Sequence, residues 1–159
     1  MRISGGNRRT KHLECVDTIR NVWKLRWDFK EDESGNSFEE CTLKYKPSLK
    51  EIQDIIYNWY NKQTDQAILS GFIWKDMPVW LSSENQFNYK AAYDLAVQTS
   101  GLSLPVKFKF GTPESPVYYT FTSLADFSDF YVQAMSYINA TLDKGWQLKD
   151  NINWDKYNE

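Results

Sequence analysis

From Ile19 onward, apolar and polar positions repeat one design three times: an alternating pair of segments, then a stretch of helical spacing. Ile19, Trp23, Leu25, Trp27 and Phe29 alternate with Arg20, Val22, Lys24, Arg26 and Asp28, interrupted at Asn21. A period of two over that length predicts a half-buried strand with the first set on its inner face. Cys41, Leu43 and Tyr45 alternate in the same way with Glu40, Thr42 and Lys44. The polar run from Lys30 to Ser37, with Gly35-Asn36 as turn residues, joins the two into a long antiparallel hairpin. Residues 1–14 show neither period; with Gly5 and Gly6 they read as a flexible arm.

Pro47-Ser48-Leu49-Lys50-Glu51 is a helix start, in which Ser48 caps and Glu51 completes a capping box. Leu49, Ile52, Ile55, Ile56, Trp59 and Tyr60 then follow helical spacing to about Leu69, and Ser70-Gly71 ends the helix. Phe72-Ile73-Trp74 and Val79-Trp80-Leu81 flank Lys75-Asp76-Met77-Pro78, a short hairpin in which Pro78 restricts the second strand to an edge or a late start. Ser83 is expected to cap a second helix, with Gln86 at the box position. Phe87, Ala91, Ala92, Leu95 and Ala96 form its inner face, and Tyr89 and Tyr93 lie more laterally. Leu104, Val106, Phe108 and Phe110 alternate with Pro105, Lys107 and Lys109. Past a turn-rich link, Val117, Tyr119 and Phe121 answer them on a returning strand. A third helix begins at Ser123 with a stripe of Leu124, Phe127, Tyr131, Ala134, Ile138 and Leu142; Lys144-Gly145 is a plausible stop.

This order, ββα-ββα-ββα, predicts an α+β fold: one antiparallel sheet built from three hairpins, with three helices packed on one face. The divisions it implies are a flexible basic arm (1–16), an N-terminal β-hairpin (17–46), an α+β domain (47–142) and an aromatic C-terminal tail (143–159) in which Trp146, Ile152, Trp154 and Tyr157 dock on the body.

Composition narrows the function classes. Nineteen Lys and Arg against 21 Asp and Glu give a net charge of −2, so no overall basic field attracts nucleic acid. Only the arm, with Arg2, Arg8, Arg9 and Lys11 against Glu14, has charge suited to a weak contact of that kind. No apolar run reaches the ~20 residues of a bilayer span, and the N-terminus lacks the apolar core of a signal peptide, so a soluble, unexported protein is expected. The acidic stretch with Asp28, Glu31, Asp32, Glu33, Glu39 and Glu40 lacks the residue order of a calcium loop and reads as solvated.

Candidate chemistry is sparse. His12, the sole histidine, falls in the presumed arm, away from any nucleophile it would have to activate. Cys15 and Cys41 are too few for a zinc site, and Cys41 suits a small buried residue. Neither GxGxxG nor GxxxxGK[ST] occurs. Asp126 and Asp129, three apart on a surface helix, read as solvent-facing. The sequon Asn139-Ala140-Thr141 sits inside a helix and reads as coincidence. Lys107-Phe108-Lys109-Phe110 has the alternation of an RNA-stacking strand, but the element order differs from that module and the rings suit an inner face. No catalytic residue, metal ligand or cofactor is expected. The deviation is aromatic: seven Trp, ten Tyr and nine Phe, 16% of the chain. Such side chains fill cores and dominate interfaces.

Lys46-Pro47-Ser48, Trp59-Tyr60-Asn61-Lys62, the run Ile68 to Tyr89, Phe108-Lys109-Phe110-Gly111 and Ala134 to Asn139 carry a resemblance over about residues 46–154. The stretch resembles an uncharacterised domain of tail-fibre or tail-assembly proteins in phages and prophages of Bacteroides-type gut bacteria. The resemblance implies a context, a virion or the host bacterial cytoplasm during assembly, with other phage proteins as partners and a homo-oligomer expected. It carries over no catalytic residues, and the basic arm has no counterpart in it. The expected function is a non-enzymatic structural or tail-assembly protein working through protein–protein contact. The alternative is a carbohydrate-binding module for host-surface recognition, with Trp74, Trp80, Trp146 or Trp154 as stacking platforms. Trp74, Lys75, Asp76 and Trp80 of the short hairpin, with Trp146 and Trp154, form the candidate interaction surface.

Overall fold

The structure, a computed structural model, describes residues 1–6, 10–32 and 35–158. Its elements are β1 (Arg2–Gly6), β2 (Leu13–Asp17), β3 (Val22–Asp32), β4 (Gly35–Leu43), α1 (Leu49–Ser70), β5 (Phe72–Trp74), β6 (Met77–Val79), α2 (Ser83–Gln98), β7 (Val106–Gly111), β8 (Pro116–Phe121), α3 (Leu124–Asp150) and a 3-10 helix (Trp154–Tyr157). The class is α+β, with three α-helices and antiparallel pairing throughout the described residues. The single sheet of three ββα repeats is not found. Four strands precede α1 and form one sheet, in the order β1-β4-β3-β2, while β5–β6 and β7–β8 are separate two-stranded ribbons. The chain divides into two units that cut across the expected boundaries: residues 1–59 with 149–159, and residues 60–148.

In the first unit, the stretch expected to be a flexible arm supplies both outer strands of the sheet. Few apolar residues announce them, Ile3 opposite Phe38 in β1 and Leu13 opposite Leu25 and Cys15 opposite Trp23 in β2, and polar contacts add to their hold. The terminal ammonium of Met1 donates to the Glu40 carbonyl (3.1 Å), and Arg2 donates to the Asp28 carboxylate (2.8 Å) and to Ser37 Oγ (2.9 Å). Arg8 and Arg9 of that stretch lie outside the described residues. On β3, Leu25 and Trp27 are buried as the alternation predicts, whereas Ile19 precedes the strand and is almost fully exposed. Arg26, on the opposite face, is buried as well. It donates to Glu40 (2.7 Å), to Glu14 (2.8 Å) and to the Lys11 carbonyl (2.9 Å), and Lys24 also donates to Glu40 (2.8 Å). Burial opposes the charge on both Arg26 and Glu40. The hydrogen bonds outweigh it, raising the guanidinium pKa and lowering the carboxyl.

A bulge interrupts β3. The register passes from Trp27 opposite Glu39 to Lys30 opposite Ser37, so Asp28 and Phe29 together face Phe38, and Asp28 adopts φ 51°. The extra residue moves Phe29 off the Leu25–Trp27 face where the alternation put it. Its ring lies 5.2 Å from Phe38 and 4.3 Å from His12, whose other neighbour is Tyr157 at 5.2 Å.

In the second unit, α1 and α3 run antiparallel and close. Thr64 of α1 fills the space where a side chain on Gly145 of α3 would stand, and Tyr137 packs over Gly71 and donates to the Ala67 carbonyl (2.7 Å). This tight packing is why Gly145, expected to stop the helix, lies within it. The α1 start follows the capping box, with Glu51 accepting from the Ser48 amide (2.8 Å) and Ser48 Oγ accepting from the Glu51 amide (3.3 Å). For α2 the cap is Ser82, one residue before the expected Ser83. Its inner stripe also shifts: Tyr89 and Ala96 are buried, while Phe87 and Leu95 are exposed. Both stripes have helical spacing and lie side by side, so the period alone leaves the choice open. The third hairpin keeps its predicted faces, with Phe110 and Phe121 buried and Lys107 and Lys109 exposed. Phe121 stacks on Phe127 at 4.6 Å, and Phe130 lies 5.2 Å from Phe110 and 5.1 Å from Tyr89. Each buried ring contributes about 1.5–3 kcal/mol through its area. The aromatic excess in the sequence is in large part this core.

Candidate functional site

The β5–β6 hairpin turns in two residues. Trp74 pairs with Met77, and Lys75 and Asp76 between them both have positive φ, 47° and 60°, the geometry of a type I′ turn. Pairing Ile73 with Pro78 then fixes which side chains share a face. Phe72, Trp74, Val79 and Leu81 point inward; Ile73, Pro78 and Trp80 point to solvent.

Trp74 is therefore not a surface platform. At 1% exposure it sits at the centre of the core, 4.9 Å from Tyr119, 5.3 Å from Phe130 and 5.5 Å from Phe121. Its indole N–H donates to Asp129 (3.0 Å), which also accepts from Gln133 (2.9 Å). Lys75 extends its ammonium over the Trp74 ring at 4.4 Å, donating to Asp126 and to Tyr119 Oη (3.2 Å), and the Tyr119 hydroxyl donates to Asp126. Asp129 is exposed, as expected, and Asp126 half-buried, and both also hold the hairpin to the first turns of α3.

The charges of this cluster follow from its hydrogen bonds. Burial would raise Asp126, but hydrogen bonds from Lys75 and Tyr119 outweigh it, leaving the carboxyl below the usual range. The indole of Trp74, then Gln133, lowers Asp129. Hydrogen bonds to Asp126 and Tyr119 raise Lys75. All three shifts favour the charged forms, as mutual hydrogen bonding of opposite charges requires. Among the described residues, no three His, Cys, Asp or Glu side chains come together to hold a metal ion, and Cys15 and Cys41 are free thiols.

Asp76, Trp80 and Trp146 all reach solvent within one unit. Asp76 is an exposed turn residue, and Trp80 is 49% exposed beside Ile73 at 61%. Trp146 stands exposed on α3. Trp154 belongs to the other unit, where it lies 5.4 Å from Tyr57 and 5.7 Å from Tyr157. Ile73 and Pro78 were missed as neighbours of Trp80, although pairing across a two-residue turn would have placed all three on one face. A cleft of about 440 Å³ also opens in the unit of residues 60–148, lined by Ile68, Leu81, Ile138 and Leu142 together with Asp65 and Gln86.

The sequence pattern of a domain of unknown function, DUF4376, matches residues 51–159, more than half of the chain. The chain belongs to the DUF4376 family. The match takes in every candidate aromatic residue and leaves β1–β4 outside it. Neither the curated proteins nor the solved structures contain a match to this DUF4376 chain. Among the described residues, no helix is long and apolar enough to cross a membrane.

Proposed function

We propose that this chain is a non-enzymatic structural or assembly component of a phage tail, acting by protein–protein contact through the outer face of the β5–β6 hairpin. The observation that carries the reading is the contrast between the two sides of that hairpin. Its inward side is fully engaged: Trp74 and Lys75 are bonded to Asp129, Asp126 and Tyr119. Its outward side presents Trp80, Ile73 and Pro78 to solvent along a short hairpin. A half-exposed tryptophan among aliphatic neighbours matches the composition of interface hot spots. The phage context comes from the sequence resemblance across residues 46–154. It implies a virion location, or the host bacterial cytoplasm during assembly, with other phage proteins as partners.

The test is mass spectrometry of purified particles and assembly intermediates from a host carrying the gene. Peptides of this chain are expected in one of these fractions, and a chain carrying Trp80→Ala and Ile73→Ser is expected to be depleted from it. Absence of the native chain from both fractions would overturn the tail assignment. Binding to a glycan array that is lost with Trp80→Ala would replace protein contact with the carbohydrate-binding reading.

A further inference from the structure

β8 has one hydrogen-bonded neighbour, β7, and its other edge is unpaired among the described residues. The reciprocal hydrogen bonds between Thr112 and Ser115 (3.2 and 3.1 Å) set the alternation along the ribbon. Gly111 opposite Pro116 is then a non-bonded pair, Phe110 opposite Val117 a bonded one, and so on along the register. The backbone N–H and C=O of Tyr118 and Thr120 consequently point away from β7. Pro116, which has no N–H, occupies an outward position where none is needed.

Unpaired strands of native proteins are ordinarily guarded by charge, proline or shortness. In this chain β1 carries Arg2, β2 carries Glu14 and Asp17, β6 has Pro78 at its centre, and β5 is only three residues long. β7, whose neighbour is β8, carries Lys107 and Lys109. β8, Pro-Val-Tyr-Tyr-Thr-Phe, has no charged residue and no proline beyond its first position, and its residues are strong strand formers. Val117 and Tyr118 are exposed on it, Tyr118 at 64%.

We infer that β8 pairs antiparallel with β8 of a second copy, about a two-fold axis at Tyr119. In that register Tyr118 of each copy lies opposite Thr120 of the other, and the outward N–H and C=O groups of both residues bond reciprocally. The occupant is a second copy because the strand is self-complementary: uncharged, it brings no like-charge repulsion to a symmetric contact. Pairing joins the two β7–β8 ribbons into one four-stranded sheet with a lysine-bearing strand at each outer edge. A two-strand contact is small against the ~1,200–2,000 Å² of a stable interface, so the dimer is reversible and its population rises with concentration. This inference is independent of the tail assignment and uses a different surface.

Sedimentation equilibrium of the full chain across micromolar concentrations tests it. The native chain is expected to shift from monomer to dimer mass. Tyr118→Pro is expected to remain monomeric with an unchanged far-UV circular dichroism spectrum, since the N–H it removes is not used by β7. If that variant fails to fold, Tyr118→Lys with Thr120→Lys sets like charges across the two-fold axis and is expected to abolish the dimer. Concentration-dependent protection of the Tyr118 and Thr120 amides from hydrogen exchange completes the expected result. A native chain that stays monomeric, or a dimer that survives the folded variants, overturns the inference. A monomeric chain still found in particles would remove the dimer and leave the tail role standing.

Discussion

The indole N–H of Trp74 donates to the carboxylate of Asp129 at 3.0 Å, joining the β5–β6 hairpin to α3 at a point where the ring itself is buried. Removing the acceptor strands a buried donor. Asp129→Ala is therefore expected to cost about 1–3 kcal/mol in urea denaturation. Asp129→Asn keeps an oxygen at the same place and is expected to cost less. A loss within about 0.5 kcal/mol for Asp129→Ala would mean that the indole readily finds water instead.

Trp74 and Trp80, six residues apart, are expected to respond oppositely to truncation. Trp74→Ala opens a cavity among Phe121, Phe130 and Tyr119 and should cost about 3–5 kcal/mol. Trp80→Ala removes a half-exposed side chain and should move stability by no more than about 1 kcal/mol while reducing partner binding. Thermal melts of the two variants side by side decide this; equal losses would place Trp80 in the core.

Gly145→Ala puts a methyl group into the Thr64 side chain. Overpacking at a close helix crossing is expected to cost about 1–3 kcal/mol despite the better helix propensity of alanine. Because the obstructing atoms belong to one side chain, Thr64→Ala in the same chain should recover most of the loss. A double-mutant cycle measures the coupling, and purely additive effects would contradict the contact.

Burial first, and then the nearby charge of Lys156, lowers the pKa of His12 from 6.5 to about 4. The folded chain thus refuses a proton that the unfolded chain accepts between those values, so stability rises with pH from about 4 to 6.5 and is flat in this respect above. Titration of the His12 ring by NMR should show a midpoint well below 6.5, and His12→Gln should flatten the acid limb of the stability curve. A midpoint at the ordinary value would place the ring in solvent.

The parts of this fold legible in the sequence are those where one physical signal dominates. α1 follows its capping box and its Ile52, Ile56 and Tyr60 stripe, and the third hairpin follows its alternation of Phe and Lys. The outer strands β1 and β2 are hard to read because each has only one or two apolar residues in its pairing, Ile3 in one and Leu13 with Cys15 in the other. Ion pairs such as Arg2 with Asp28 and Arg26 with Glu14, which leave no apolar period, add to their hold. The inward orientation of Trp74 depends on a two-residue turn made by Lys75 and Asp76, both left-handed without a glycine to announce it. The partners of Asp126 and Asp129 come from β8 and β5, distances along the chain that no local pattern encodes.

The kink at Asp28 also bears on how this sheet can change over time. Without that one residue Phe29 would follow Trp27 directly in a regular strand, on the opposite face and still across from Phe38, so the contacts with Phe38 and His12 do not depend on the bulge. A single codon gained or lost at this point is absorbed by the backbone locally, with the pairs Trp27–Glu39 and Lys30–Ser37 on either side keeping their faces.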